Sequence, residues 1–276
     1  MPHLIRHIRA CNNTPLPGSR LPFRLGSHQV GWVAPALADR LAGLGARLSA
    51  GSLTLDDPAA LPMWARFLAG AGLYQWRNEA FDVRAVPDGP VLSQVDRGAL
   101  PILGIGAAGV HLNGLVRRPD GLHMWLARRA MTKLLDPGKL DHIVAGGVPA
   151  GLDPAQTLEK EAAEEAALPA ALVASATHQG VIRYTMDRPE GLRRDILHCY
   201  DLVLPASFIP HPVDGEVAAF ELWPVADVLD TVRQTDDFKF NVNLVLIDLF
   251  LRHGLVAEPE ASQLRTALVS PPAAPP

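Results

Sequence analysis

Three glutamates, Glu161, Glu164 and Glu165, stand at i, i+3 and i+4 within the segment AGGVPAGLDPAQTLEKEAAEEAALP, residues 145–169. On a helix those intervals bring side chains to one side. Three like charges on adjacent turns repel one another unless a cation shares them, and an all-oxygen donor set suits a hard ion, Mg²⁺ or Mn²⁺. An ion held that way can neutralise a phosphate group and lower the pKa of a bound water. Spacing alone is thin ground, because helices rich in alanine and glutamate are commonly just solvated surface helices.

The flanking residues give the triplet a context. Asp153 followed by Pro154 marks a helix start, and Pro169 marks its end. A glycine-rich loop, Gly146-Gly147 through Gly151, runs into that helix from a short apolar strand, Ile143-Val144-Ala145. Strand, glycine loop, helix and carboxylates in this order resemble the Nudix box, G-x(5)-E-x(7)-R-E-U-x-E-E-x-G-U, where U is bulky and apolar. Gly146 takes the first glycine, Glu161 the glutamate beside the arginine position, Glu164 and Glu165 the metal-binding pair, and Leu168 the closing apolar residue. Four positions depart from it: Leu152 replaces the first glutamate, Lys160 the arginine, Ala162 a bulkier residue and Ala167 the late glycine. In the family the first glutamate and the arginine brace each other, so changing both together is coherent and leaves the carboxylates untouched.

The likeness extends outside the box. GVHLNGLV (109–116), WLARRAMTKLLDPGKLDHIVAGG (125–147), YDLVLP (200–205), DGEV (214–217) and FKFNVNLVLIDLFLRHG (238–254) are similar to one Nudix branch. Its members carry an extra N-terminal domain, and the same unit is found fused to thiamine pyrophosphokinase. The resemblance implies an α/β (α+β) fold, a Nudix-type α/β/α sandwich with a mixed sheet, joined to a small N-terminal α+β domain. It implies a pyrophosphohydrolase that cleaves a small organic diphosphate with Mg²⁺ held by Glu161, Glu164 and Glu165. Thiamine diphosphate or its oxidised forms are the substrates it suggests. Nucleoside-diphosphate compounds, or a non-catalytic ligand-binding module, are the alternatives. An isoprenyl diphosphate isomerase on the same scaffold would want a cysteine facing a glutamate, and nothing marks Cys199 as reactive.

Around this centre, Glu165 or Glu216 of the DGEV segment could take the proton of the attacking water. Arg128, Arg129, Lys133 and Lys139, between a strand and the box, are candidate cations for phosphate oxygens, Arg128 and Lys139 foremost; the backbone at Gly146 and Gly147 completes the set. The histidines show no metal-ligand spacing.

The elements that must position these groups can be read in outline. Helices are expected over 33–48, 57–70, 154–168, 225–234 and 241–253, and strands over 110–116, 122–128, 180–186, 196–204 and 217–223. Arg118-Pro119-Asp120-Gly121 reads as a hairpin turn. The expected division is an N-terminal unit over 1–104, the catalytic unit over 105–268 and a disordered tail over 269–276.

The 276 residues carry a net charge of −4, so no basic field exists to hold a nucleic-acid backbone. Mean hydropathy is +0.12 and no run is long enough to cross a bilayer, so the expected partner is a small molecule, with a homodimer allowed for. Two distant cysteines and an N-terminal stretch lacking an apolar leader lead to an expectation of a cytoplasmic location.

Overall fold

In the computed structural model, residues 3–270 are described. The N-terminal helix α1 (Ile5–Cys11) precedes a mixed region containing β1 (Leu21–Leu25), β2 (His28–Val33), α2 (Pro35–Gly43), β3 (Arg47–Ser49), β4 (Ser52–Leu55), α3 (Leu61–Gly70), β5 (Ala80–Val83), β6 (Ser93–Asp96) and α4 (Leu100–Leu103). The larger region follows with β7 (Gly106–Arg118), β8 (Gly121–Arg129), β9 (Leu140–His142), β10 (Val144–Gly147), α5 (Pro154–Ala166), α6 (Ala170–Val173), β11 (Thr177–Arg188), β12 (Gly191–Val203), β13 (Val217–Pro224), α7 (Val225–Gln234), α8 (Val242–Arg252) and α9 (Glu260–Val269).

The larger region is built on a seven-stranded sheet in the order β11-β12-β7-β8-β13, with β10 added to β7 and β9 to β8. Strands β7 and β12 run parallel and the other pairs antiparallel. Alternation of side chains across a strand explains why both faces are apolar. Leu197 and Cys199 of β12 face one core with Val245, Leu246 and Phe250 of α8, whereas Tyr200 and Leu202 face another with Leu158 and Ala162 of α5. Helices on both sides of a mixed sheet make the α/β/α sandwich that the resemblance implied.

A third core, including Phe23, Leu25, Leu53, Trp64, Phe81 and Leu103, belongs to the residues before β7. There β2-β1-β4-β3 form a four-stranded sheet and β5-β6 a separate hairpin. Helix α1 is an exception to its neighbours. Leu4, Ile8 and Cys11 are fully buried in the core beneath α8 rather than in the N-terminal one.

The helix expected over 33–48 is shorter, because β2 uses Val33 and the chain turns at Leu44-Gly45 into β3. The stretch 57–70 starts with a single 3-10 turn, 58–60, capped by Asp57, before α3 begins. Strand β11 reaches well past the 180–186 expected for it. Of the expected tail, Val269 is still helical, and residues 271–276 lie outside the described ones. No helix among the described residues is long and apolar enough to cross a membrane.

Candidate functional site

Helix α5 is fixed at both ends by its own sequence. Asp153 accepts the Gln156 N–H at 2.8 Å while the Asp153 N–H donates to the Gln156 side chain at 3.0 Å, a reciprocal capping box with Pro154 in the first turn. At the other end Ala167 takes the left-handed conformation, φ 53°, and Leu168 N–H returns to the Ala162 carbonyl at 3.0 Å.

Between these ends the three glutamates occupy different surroundings. Glu161 presses against the glycine loop: a Cβ placed on Gly146 would lie 2.5 Å from its carboxyl carbon. Glu164 is half exposed. Lys160 reaches both, its Nζ 3.0 Å from Glu161 Oε1 and 2.5 Å from Glu164 Oε2. Glu165 turns inward, is buried, and accepts the Ala145 N–H at 2.9 Å. Burial pushes the Glu165 carboxyl up to about 8 even against that hydrogen bond. Burial also raises Glu161, with Lys160 pulling the other way. Lys160, whose partial burial would lower it, is held above its ordinary range by Glu164 and Glu161.

Beside Glu165 lies a narrow pocket of about 10 Å³, room for about one water. Arg129, Lys133, Asp141, His142, Ala145, Glu165 and Glu216 line it. Glu216 arrives on the loop before β13, where its N–H caps on Asp214 at 2.8 Å and its carbonyl accepts the Ala130 N–H at 2.9 Å. Its carboxylate accepts from Lys133. Burial would raise Glu216, but Lys133, and behind it Arg97 and Arg129, keep it below the usual carboxylate range. The structure thus brings Glu165, Glu216, Arg129 and Lys133 to one pocket, with Glu161, Glu164, Gly146 and Gly147 adjoining on the helix and loop.

Arg128 and Lys139 do not join them. Arg128 shares a strand face with Met124 and Leu126, away from α5, and its Nε donates to Glu221 Oε1 at 2.7 Å. Lys139, between β8 and β9, is half-buried, and its carbonyl accepts the Arg129 N–H at 3.0 Å. Neither is among the residues lining the pocket. Arg129, though at the pocket, is committed: it donates to Asp141 at 2.8 Å and to the carbonyls of Leu135 and Asp136.

Asp141 and His142 are the residues that sequence reading overlooked. Asp141 receives Arg129 and also Lys239, 3.2 Å away, while its other oxygen accepts the His142 N–H at 2.9 Å. Burial would raise Asp141, yet Lys239 and Arg129 hold it far below its ordinary value. His142 Nδ1 lies 2.9 Å from His111 Nδ1, and burial lowers both rings, His142 to about 4. The donor atoms of His111, Asp141 and His142 all lie within 4.8 Å of one another, a spacing a metal could use. Two buried cations already sit on the Asp141 carboxylate, however, and a third positive charge there would meet them at close range. The signal available in the sequence was a charged pair, Asp141-His142, inside an apolar run.

Glu161, Glu164 and Glu165 are not gathered to that spacing, although their all-carboxylate oxygen donors suit a hard ion better than a set with two imidazoles. Their cationic neighbour, Lys160, is on a partly exposed side chain that can swing away, unlike the buried Arg129 and Lys239, and the buried Glu165 carboxyl has a single backbone donor.

Residues 109–243 match the NUDIX domain family. Two Arabidopsis thaliana proteins, Nudix hydrolase 20, chloroplastic, and Nudix hydrolase 24, chloroplastic, are each 41% identical, over 67% and 65% of this chain and 50% and 49% of their own lengths. An uncharacterized Saccharomyces cerevisiae protein is 33% identical over 72% of this chain and 62% of its own length. The chain therefore spans about half the length of the two plant relatives. Their names, both chloroplastic, overturn the expected cytoplasmic location; that expectation weighed only an apolar leader, whereas organelle transit peptides are amphipathic and rich in Arg and Ser. With box, sandwich and match agreeing, residues 109–243 of this chain are a NUDIX domain.

Proposed function

We propose that the chain hydrolyses a diphosphate linkage in a small organic diphosphate, with Mg²⁺, or Mn²⁺ in its place, held by Glu161, Glu164 and Glu165. The observation that carries this reading is the placement of three glutamates on α5, with buried Glu165 lining a pocket beside Glu216 and only the displaceable, partly exposed Lys160 on the other two. When bound, the metal neutralises diphosphate charge and polarises a water. Gly146 and Gly147 would meet substrate through their backbone, their Cβ sides being covered by Glu161 and by Phe81 with Arg97. Lys133 supplies positive charge at the pocket, with Arg129 behind it holding Asp141. Glu216, kept ionised by Lys133, accepts the water's proton.

For the organic group, the N-terminal extension and its likeness to the unit fused to thiamine pyrophosphokinase favour thiamine diphosphate or its oxidised forms, yielding the monophosphate. The family at large supports nucleoside-diphosphate compounds as the second reading. The chain divides on this view into units over 1–104 and 105–268, α1 being lent to the second core.

A panel of thiamine diphosphate, oxidised thiamine diphosphate, ADP-ribose and a dinucleoside polyphosphate, each with and without Mg²⁺, tests both levels. Monophosphate release that requires Mg²⁺ and disappears in Glu164→Gln supports the hydrolase. Turnover of ADP-ribose without turnover of either thiamine compound replaces the preferred substrate. No turnover of any diphosphate removes the catalytic reading in favour of a ligand-binding module.

A further inference from the structure

The N-terminal region does more than adjoin the glycine loop. Ala150 N–H donates to the Ala80 carbonyl of β5 at 2.8 Å, and Gly151 N–H to the Asp82 carboxylate at 3.3 Å. A Cβ on Gly147 would lie 2.7 Å from the Phe81 ring and 3.6 Å from the Arg97 guanidinium carbon. Arg97 lies over that ring, 5.7 Å from its centroid, half exposed, with Nη1 2.8 Å from Glu79 Oε2.

This placement is built. Buried Asp96 accepts the N–H groups of Arg77 at 3.1 Å and Gly98 at 2.9 Å, and Arg97 N–H donates to the Glu79 carbonyl at 2.8 Å. Gly98 is pressed against the Gln75 carbonyl, where a Cβ would come within 2.3 Å. The turn that carries Arg97 is thereby pinned to the segment that carries Glu79.

The cations nearest the pocket and α5 are each engaged with a carboxylate. Arg128 is on Glu221, Arg129 and Lys239 on Asp141, Lys133 on Glu216, and Lys160 on two glutamates of α5. Arg97 is half exposed, has Glu79 as its one carboxylate partner and stands directly over Gly147.

We propose that Arg97, supplied by the N-terminal region, is a phosphate-binding residue of the site, exchanging Glu79 for a diphosphate oxygen when substrate lies on the Gly146-Gly147 loop. The planar guanidinium suits this, since it donates two parallel hydrogen bonds to a phosphate. The proposal rests on the reading of the α5 glutamates as a diphosphate site, and gives the N-terminal region a part in substrate binding.

Methylenediphosphonate, which resists hydrolysis, is the probe, titrated calorimetrically into the full chain with saturating Mg²⁺. Arg97→Ala should weaken its binding about tenfold or more, the scale of one charged hydrogen bond, and Arg97→Lys should recover part of the loss. Mg²⁺ affinity without the probe should not change. Glu79→Ala removes the same ion pair but leaves Arg97 free, so it should bind the probe as well as wild type or better; weakening equal to that in Arg97→Ala would reduce the pair to a structural contact and overturn the proposal. Equal binding by wild type and Arg97→Ala would also overturn it. If wild type binds no diphosphonate at all, the diphosphate reading of the site fails, and this proposal with it.

Discussion

Glu165 Oε2 accepts the Ala145 N–H at 2.9 Å, tying the last glutamate of α5 to the strand that launches the glycine loop. The bond spans the loop, so the distance between helix and strand, and with it the opening over Gly146 and Gly147, is set by a group that also belongs to the carboxylate cluster. A single neutral donor compensates a buried carboxylate poorly. Below about pH 8 the metal-free residue therefore keeps its proton, and an arriving cation would displace it.

That behaviour fixes the sign of a pH dependence. The Glu165 carboxyl is raised from 4.5 to about 8 in the folded chain, so the fold keeps a proton that the unfolded chain has released. Stability of the metal-free protein is then lost as pH rises from 4.5 through about 8. Binding of Mg²⁺ must expel the proton, so apparent affinity should rise with pH, by at most about tenfold per unit, and level off above about 8. Calorimetric Mg²⁺ titrations across this range, with Glu165→Gln as control, check it. An affinity flat with pH in the wild type would show that Glu165 binds the metal without losing a proton, or does not bind it.

Helix α5 was legible because its signals are local: Asp153-Pro154 at one end, Pro169 beyond the other, glutamates at helical spacing between them. The cations were harder, and strand parity explains why. In HMWLARR, Met124, Leu126 and Arg128 share one face of β8, while Trp125, Ala127 and Arg129 share the other. Both faces of this sheet are covered by helices, so hydropathy could not tell which arginine faces α5. Asp141 meets Lys239 across nearly a hundred residues of sequence, and α1 packs beneath α8 from the far end of the chain. Neither pairing leaves a periodic trace.

One departure from the family box has a measurable cost. Ala167 occupies the position of the late glycine and holds φ 53°, the left-handed region where a Cβ is disfavoured. Ala167→Gly should stabilise the protein by about 1 kcal/mol, the relief of strain exceeding the entropy a glycine adds to the unfolded chain. Chemical denaturation reads this directly. A lower midpoint for the variant would mean that the turn after α5 tolerates the methyl without strain.

The network around Asp141 should behave in the opposite way. Arg129 and Lys239 are both largely buried and converge on its carboxylate. Asp141→Ala leaves two buried cations without their shared anion, and a loss of about 3–5 kcal/mol in unfolding free energy is expected. Asp141→Asn keeps the hydrogen-bond acceptor but not the charge and should fall between. If Asp141→Ala unfolds within about 1 kcal/mol of wild type, water is reaching those cations and the cluster is not the closed ionic core described above.

Gly146 separates the needs of the fold from those of the site. A Cβ there would fall 2.5 Å from both Cγ and the carboxyl carbon of Glu161. The obstacle is the end of a flexible, partly exposed side chain rather than backbone, so Gly146→Ala should leave the fold standing while Glu161 swings off the loop. Strand β10 is already extended at this position, which an alanine adopts freely. The expected result is a melting temperature within a few degrees of wild type, together with Mg²⁺ affinity at least about tenfold weaker, one lost carboxylate ligand being worth more than a kilocalorie. Pairing Gly146→Ala with Glu161→Ala completes the case: once Glu161 is gone the added methyl has nothing to displace, so the double variant should bind Mg²⁺ no more weakly than Glu161→Ala alone. Additive losses would instead place the action of Gly146 in the loop backbone and not in the glutamate it faces.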